Sequence, residues 1–191
     1  MPRVPAGGKG WTAAGRTLDC AAMFGRKATQ EHDPFGGPPP RLAKIAFQPP
    51  LIFLGAIVLG TAFHTFTRAE GWNGGVPQVI LGILIGAAGI ALSMWAIRQY
   101  QVADTSPDPK QEARALIETG PYARSRNPLY LAMMLMQVGL GTAIDEPLIV
   151  WFSLPALFLI RHGVIAQEEK YLAEMFGDVY LAYKKRVRRW F

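Results

Sequence analysis

The sequence predicts an all-α integral membrane protein with about four transmembrane helices and an interfacial helix at the carboxy terminus. Three observations predict this fold class. Half of the 191 residues are hydrophobic and only 18% are charged, a low charged fraction for a soluble domain. The hydrophobic residues are concentrated in long segments. The basic residues are concentrated in alternate connections between those segments.

Four apolar segments account for the predicted spanning helices. They lack the polar stripe of an amphipathic helix in a soluble protein, which argues against buried helices of a soluble α-protein. Gly82 and Gly86 in the second segment are spaced as small residues that let helix backbones approach closely in lipid. The four segments are Leu51 to Phe66, Val76 to Ile97, Leu129 to Ile144 and Pro147 to Ala166.

The distribution of basic residues predicts the orientation in the membrane. Of the 20 basic residues, seven precede Leu51, five fall from Arg98 to Arg126, and six lie from Lys170 to Arg189. The connection after the first segment holds only Arg68, and the third connection holds none. By the positive-inside rule, both termini and the long middle loop should be cytoplasmic. The net charge of +6 then reflects topology and attraction to anionic membrane lipids.

Residues 1–48 form a separate zone rich in proline, glycine and alanine, so we expect a basic arm without a fold of its own. Residues 49–191 form the predicted membrane domain. The arm lacks the apolar core of a secretory signal, and it contains no serine, which weakens a reading as a transit peptide. The single cysteine, Cys20, permits no internal disulfide.

Several function classes find no support in the sequence. There is no basic groove interleaved with stacking aromatic residues, so no nucleic-acid partner is predicted. His32, His64 and His162 are scattered, and no metal site is predicted. For His64 an interhelical hydrogen bond is at least as good an explanation as a functional role. The run Gly139-Leu140-Gly141 lies inside an apolar segment and is better explained by packing than by nucleotide binding.

Two polar motifs remain, a loop at residues 120–130 and the pair Glu168-Glu169 just past the last apolar segment. A residue before proline is pushed out of helical geometry, so a helix should begin at Pro128 with Arg124 and Arg126 at its mouth. A basic helix entrance suits an anionic ligand.

The carboxy-terminal segment has the pattern of a helix that lies on the inner leaflet. Its apolar residues recur at helical spacing, and lysines and arginines take most of the other positions. Gly177 should interrupt this helix. Tyr180 and Tyr183 are expected to anchor it at the membrane interface.

Arg161 would be costly without a partner, because it lies about two turns inside the predicted cytosolic end of the last span. On one continuous helix, Arg161 and Glu168 would share a face at a separation of about 10 Å. We therefore expect a cavity lined by both residues and closed by the loop through Arg126, with Arg161 binding the substrate. Snorkelling of Arg161 to the headgroups is the alternative.

The two motifs resemble those of the integral-membrane methyltransferases that include isoprenylcysteine carboxyl methyltransferase and the phospholipid N-methyltransferases. The family pattern is G-x-Y-x-x-x-R-[HN]-P-x-Y followed by E-E-x-x-L-x-x-x-F-G-x-x-Y-x-x-Y. Every fixed position is filled, from Gly120 to Tyr130 and from Glu168 to Tyr183, and the resemblance covers roughly residues 50–191.

The resemblance implies S-adenosylmethionine as the cofactor. The residues that it implicates in cofactor binding are Arg114, Ala115, Leu116, Ile117, Tyr122, Asn127, Pro128, Leu129, Tyr130 and Glu168. The sequence departs from the family at two points. Many members have histidine in place of Asn127, and the carboxyl-methylating members have arginine in place of Val164.

The implied reaction is methyl transfer to a lipophilic acceptor, either a carboxylate such as that of a prenylated cysteine or a phospholipid amine. A carboxylate acceptor needs only alignment and exclusion of water. A protonated amine must first lose a proton, and Glu169 is then the predicted base. Arg126 is predicted to position the acceptor or an anionic group of the cofactor. Two alternatives remain open, an NADPH-dependent reductase of the sterol type and a membrane scaffold without catalytic activity. The reductases commonly read P-N-Y where this chain has Pro128-Leu129-Tyr130.

Overall fold

The computed structural model describes residues 12–13 and 16–17 as backbone, and residues 48–105 and 115–190 with their side chains. The chain divides into two compact units, Met1–Gly37 and Pro38–Phe191. In the first unit, β1 (Thr12–Ala13) and β2 (Arg16–Thr17) pair as a short antiparallel ladder. The prediction for the rest of the arm over residues 1–48, including Cys20 and His32, lies outside the described residues.

The second unit is helical, which confirms the predicted fold class. Two of its elements, α1 and α2, and the rod formed by α4 and α5 are long and apolar enough to cross a membrane, and α3 is a shorter apolar helix of 16 residues. The helices are α1 Pro49–Thr67, α2 Gly75–Val102, α3 Pro128–Ala143, α4 Pro147–Leu159 and α5 Ala166–Arg186, with a 3-10 turn at Gly120–Ala123 and a π-helical turn at Ile160–Ile165.

Proline residues set the starts of three helices. Pro49, Pro128 and Pro147 lie in the first turn of α1, α3 and α4, where a missing backbone N–H costs nothing. The predicted start of a helix at Pro128 is confirmed. The residue before it, Asn127, has an extended φ of −133° because proline excludes it from helical geometry.

The last helices form one rod of 40 residues, Pro147–Arg186. The part before Gly177, about 30 residues, is about 45 Å long and exceeds the thickness of the hydrocarbon core, so only its apolar first part spans the membrane. The second half, α5, carries the charged residues and extends beyond the hydrocarbon. Gly177 (φ 52°, ψ −130°) breaks the helical path of α5, which confirms the predicted interruption.

Glycine residues bring α2 and α3 into close backbone contact. A Cβ atom at Gly82 would overlap the backbone of Ala143, and one at Gly139 would overlap the backbone of Gly86. The predicted role of Gly82 and Gly86 in helix packing is therefore confirmed, as is the packing explanation for the glycine run that begins at Gly139.

A polar network joins the two connections at the end of the bundle away from the 120–130 loop. The Asp145 carboxylate accepts hydrogen bonds from the backbone N–H groups of Trp72 (2.8 Å) and Asn73 and from the Gln78 amide (2.8 Å). Nearby, His64 Nδ1 lies 2.8 Å from Glu146 Oε2. His64 thus lies beside the residue that precedes α4, without the hydrogen-bond geometry of the predicted interhelical bond.

Tyr180 and Tyr183 are not interfacial anchors. Both side chains are buried, and they pack with Val187, Leu116 and Phe176. The Tyr183 hydroxyl donates a hydrogen bond to the Tyr122 carbonyl at 2.8 Å. The sequence pattern suggested anchors because tyrosine suits an interface, but α5 folds back against the 115–127 loop and covers these rings.

Candidate functional site

The centre of the candidate site is a hydrogen bond between α3 and α5. The Tyr130 hydroxyl donates to Glu168 Oε1 at 2.5 Å. Tyr130 lies in the first turn of α3, because Pro128 starts that helix two residues earlier. Glu168 lies in the first turn of α5. The two sequence motifs therefore meet in space.

Two further tyrosines surround this pair. Tyr122 is buried in the 3-10 turn, and its ring meets the Tyr100 ring edge to face with centroids 5.7 Å apart. Ala96 and Ile117 pack against Tyr122 and hold it in place. The Tyr100 hydroxyl is a polar neighbour of the buried Tyr122 hydroxyl, although their contact does not reach full hydrogen-bond geometry. The Tyr122 hydroxyl therefore has capacity for a further polar partner.

Glu169, the neighbour of Glu168, lies in a different environment formed by three cations. Arg189 binds it with two nitrogens, Nε to Oε1 at 3.0 Å and Nη2 to Oε2 at 2.9 Å. Arg126 Nη2 lies 2.8 Å from Oε1, and Lys184 Nζ lies 3.1 Å from Oε2. We call these four residues, Arg126, Glu169, Lys184 and Arg189, the ion cluster.

The ion cluster fastens the carboxy-terminal segment, residues 187–190, beneath the 124–127 loop. Arg126 Nη1 donates to the carbonyls of Lys184 and Val187, each at 2.9 Å. The Arg126 backbone N–H donates to the Arg188 carbonyl at 3.0 Å. Ser125 Oγ donates to the Arg189 carbonyl, also at 3.0 Å. These hydrogen bonds hold the 124–127 loop and the segment 187–190 together.

The two adjacent glutamates have opposite electrostatics. Burial raises the pKa of Glu168 to about 7, since the hydrogen bond from Tyr130 offsets the cost of desolvation only in part and the charge on Glu169 adds to it. Burial alone would also raise the pKa of Glu169, but hydrogen bonds from Arg189, Arg126 and Lys184 outweigh it and lower that pKa to about 2. Glu168 can therefore change its protonation state near neutral pH, whereas Glu169 stays ionised.

These contacts argue against the roles that the sequence predicted for Arg126 and Glu169. A carboxylate with a pKa of about 2 and cations on both oxygens is a poor proton acceptor. The Nη1 and Nη2 groups of Arg126 are occupied by the ion cluster and by backbone carbonyls, so they are not free to bind an acceptor. Both residues instead position the loop, α5 and the chain end.

Arg161 is separated from Glu168 by the π-helical turn. A π turn holds one more residue than an α turn and rotates the face that follows by about 100°. The Arg161 side chain is accordingly exposed, while Glu168 turns toward Tyr130. The cavity lined by both residues that an unbroken helix predicted is not formed by this arrangement.

The remaining predicted cofactor residues surround the tyrosines or support them. Ile117 and Leu129 pack with Tyr122, and Leu116 packs with Tyr180 and Tyr183. Asn127 and Pro128 are buried at the start of α3, and Ala115 is half-buried at the start of the described loop. Arg114 lies outside the described residues.

Sequence reasoning missed three residues of this region, Tyr100, Lys184 and Arg189. Tyr100 is close enough to Glu168 for electrostatic interaction. It sits in the last turns of α2, and only the tertiary fold brings it to the site. Lys184 and Arg189 were read as part of a basic membrane-facing surface. The sequence analysis left the adjacent Glu168 and Glu169 with too few cationic partners. That shortage was the signal that could have found Lys184 and Arg189.

The arrangement is suited to binding a cation beside a carboxylate. Tyrosine rings present negative faces to cations, and Glu168 can supply a full negative charge when ionised. The walls around Tyr122 and Tyr130 are apolar, which strengthens such interactions.

Comparisons with known proteins identify the family of this chain. The sequence model of the family described as "Phospholipid methyltransferase" matches residues 77–179, more than half of the chain. The Protein-S-isoprenylcysteine O-methyltransferase of Saccharomyces cerevisiae is 33% identical over 78 residues, which are 41% of this chain and 33% of that protein. The aligned part thus spans about a third of the length of the yeast relative.

A second relative is an uncharacterized protein of Haemophilus influenzae. It is 36% identical over 63 residues, which are 32% of this chain and 98% of that protein. No solved structure matches the chain significantly.

Proposed function

Because the chain belongs to the phospholipid methyltransferase family, we propose that it transfers a methyl group from S-adenosylmethionine to a lipophilic acceptor at a membrane surface. The long apolar helices and the similarity to membrane methyltransferases indicate that the protein is an integral membrane protein. The observation that supports the proposed activity is the meeting of Tyr122, Tyr130 and Glu168 at one place.

The residues at this place fit S-adenosylmethionine. The cofactor supplies an electrophilic methyl group on a positively charged sulfonium. Glu168 and the tyrosine rings would stabilise that positive charge, and the Tyr122 hydroxyl would find a further polar partner in the cofactor. Ile117, Leu129 and the backbone of the 115–117 segment would line the apolar part of the cofactor.

The protein's contribution is alignment, exclusion of water and, for some acceptors, proton transfer. A carboxylate acceptor is already a nucleophile and needs no base. An amine acceptor must lose its proton, and Glu168 is better suited to accept it than Glu169. Its pKa of about 7 lies near the working pH, whereas Glu169 is neutralised by three cations.

The acceptor is a membrane-embedded molecule, such as a prenylated cysteine derivative or a phospholipid amine. It reaches the site sideways from the lipid, because the site lies at the polar end of apolar helices. The cofactor arrives from the aqueous side, which we propose is the cytoplasm, together with both termini. Arg161 is exposed on the lipid-facing surface of the rod, so this proposal gives it no contact with the acceptor.

The test compares binding of two ligands that differ in charge at sulfur. Calorimetry in uncharged detergent measures the affinity of Glu168→Gln for S-adenosylmethionine and for S-adenosylhomocysteine. Loss of a charge-assisted interaction should weaken binding of the sulfonium by about 10- to 150-fold, equivalent to about 1.5 to 3 kcal/mol, and binding of the uncharged thioether much less.

Glu174→Gln is the matched control, because Glu174 lies on the same helix and pairs only with Lys170 at the exposed surface. Transfer of labelled methyl groups to extracted lipids and to prenylcysteine analogues then identifies the acceptor class. If Glu168→Gln binds both ligands as tightly as the unaltered protein, the proposed cofactor site is wrong.

A further inference from the structure

Arg161 stands on the outer face of the α4–α5 rod, among residues that face lipid. Trp151, Leu154 and Phe158 are each more than half exposed and recur on this face at helical spacing. Arg161, His162 and Gly163 continue the exposed face at the π-helical turn. Within the described residues, Arg161 has no ion pair or hydrogen bond to another side chain.

A guanidinium in this position needs an anionic partner. Arg161 lies 14 residues after Pro147, about 21 Å along the rod, where the hydrocarbon core is about 30 Å thick. Its Cα therefore lies within about 9 Å of the far edge of the core, and the long side chain can extend to the level of the lipid phosphates. An unpaired charge left in hydrocarbon would be costly.

His162 places a polar ring next to Arg161. Its Nδ1 lies 2.9 Å from the Phe158 carbonyl, and its ring packs on the Phe158 ring with centroids 4.3 Å apart. A carbonyl accepts only, so Nδ1 carries the hydrogen and Nε2 is left on the other side of the ring. The imidazole is thus held in one orientation beside Arg161.

Gly163 leaves open space beside these two side chains. A Cβ atom built at Gly163 would meet no atom within 4 Å. The surface therefore presents two nitrogen groups, an aromatic wall and a gap at the depth of the lipid headgroups. The nearest carboxylates along the rod, Glu168 and Glu169, are engaged with Tyr130 and the ion cluster.

We propose that Arg161 and His162 form a binding site for the phosphate of an anionic phospholipid, separate from the methyl-transfer site. The lipid is a bound structural partner and not the acceptor, because the tyrosines and Glu168 lie on the other face of the rod. Its phosphate replaces the missing partner of Arg161, and its acyl chains lie along Phe158, Leu154 and Trp151. The lipid also stabilises the rod at its π-helical turn.

The full chain in uncharged detergent is incubated with equal amounts of phosphatidylglycerol and phosphatidylcholine, and retained lipids are counted by native mass spectrometry. The unaltered protein should retain phosphatidylglycerol in preference. Arg161→Gln should reduce that retention at least fivefold, and His162→Gln should reduce it by a smaller factor. Lys170→Gln is the matched control, because Lys170 is an exposed cation of the same rod and should change retention little.

A second measurement follows thermal stability. Phosphatidylglycerol should raise the melting temperature of the unaltered protein and not that of Arg161→Gln, while the two proteins melt alike in phosphatidylcholine. Inorganic phosphate and glycerol phosphate are added separately to distinguish a lipid site from a site for free anions. Equal retention of phosphatidylglycerol by Arg161→Gln and the unaltered protein overturns the proposal, as does an equal loss in Lys170→Gln or full replacement by soluble phosphate.

Discussion

The ion cluster around Glu169 should contribute a large part of the stability of the carboxy-terminal half. Replacing the carboxylate in Glu169→Gln keeps the shape of the side chain but removes the charge that Arg126, Lys184 and Arg189 share. Arg126 is left with its side chain 9% exposed and without an anionic partner. Breaking a buried ion pair in this way costs about 3 to 5 kcal/mol.

The lowered pKa of Glu169, which arises from the same three cations, leads to a similar figure. It falls from 4.5 to about 2 in the folded protein. A depression of about 2.5 units corresponds to about 3 kcal/mol at neutral pH, at 1.36 kcal/mol per unit. Lys184 and Arg189 are partly exposed, so solvent screening reduces their share. We therefore expect Glu169→Gln to lower the free energy of unfolding by about 3 kcal/mol.

The assay is unfolding in mixed micelles, followed by circular dichroism, with hydrogen exchange of the Arg126 amide as a local measurement. This amide is bonded to the Arg188 carbonyl and should exchange faster once the segment 187–190 is released. Glu174→Gln is the control. Its pair with Lys170 is exposed at 3.9 Å and should contribute no more than about 0.5 kcal/mol.

The pH dependence has a defined sign. Because the folded pKa of Glu169 is depressed, its contribution is complete above about pH 4.5 and is lost as the pH falls toward 2. The stability difference between the unaltered protein and Glu169→Gln should therefore narrow over that window. If Glu169→Gln is no less stable than Glu174→Gln at pH 7, the ion cluster does not stabilise the fold and the reasoning fails.

Three further predictions concern other parts of the molecule. Gly139→Val should destabilise the protein by at least about 2 kcal/mol in the same unfolding assay, because the valine side chain would overlap the α2 backbone. Gly55→Ala is the control and should not destabilise the protein, because Gly55 lies in open space. Equal stability of the two variants would contradict the packing of α2 on α3. Asp145→Ala should speed hydrogen exchange at the backbone amides of Trp72 and Asn73, because both amides donate hydrogen bonds to the Asp145 carboxylate. Unchanged protection of these amides would count against the network. In a Cys20→Ala background, cysteines at Glu70 and Asp108 should react with an impermeant reagent from opposite sides of the membrane; reaction of both from outside intact cells would overturn the proposed orientation.

Residue composition and spacing were enough to predict the helical membrane fold and to single out the two motifs that meet at the candidate site. Long apolar segments leave few alternatives in lipid, where each backbone polar group must be satisfied within its own helix. Local chemistry also fixed particular features, such as the helix start at Pro128, the break at Gly177 and the close packing at Gly82 and Gly86. Each depends on the conformation or size of one or two residues, so the sequence alone was enough.

Tertiary structure decided the roles of the charged and aromatic residues. Glu168 and Glu169 are neighbours in the chain, but α5 turns one toward Tyr130 and the other toward Arg126 and Arg189. Arg161 is exposed because a π-helical turn rotates the helix between Arg161 and Glu168. No sequence pattern predicted this turn. Tyr180 and Tyr183 are buried because α5 packs against the 115–127 loop. The partner of a side chain depends on the path of the whole chain, and residue type and spacing specify only which partners are chemically suitable.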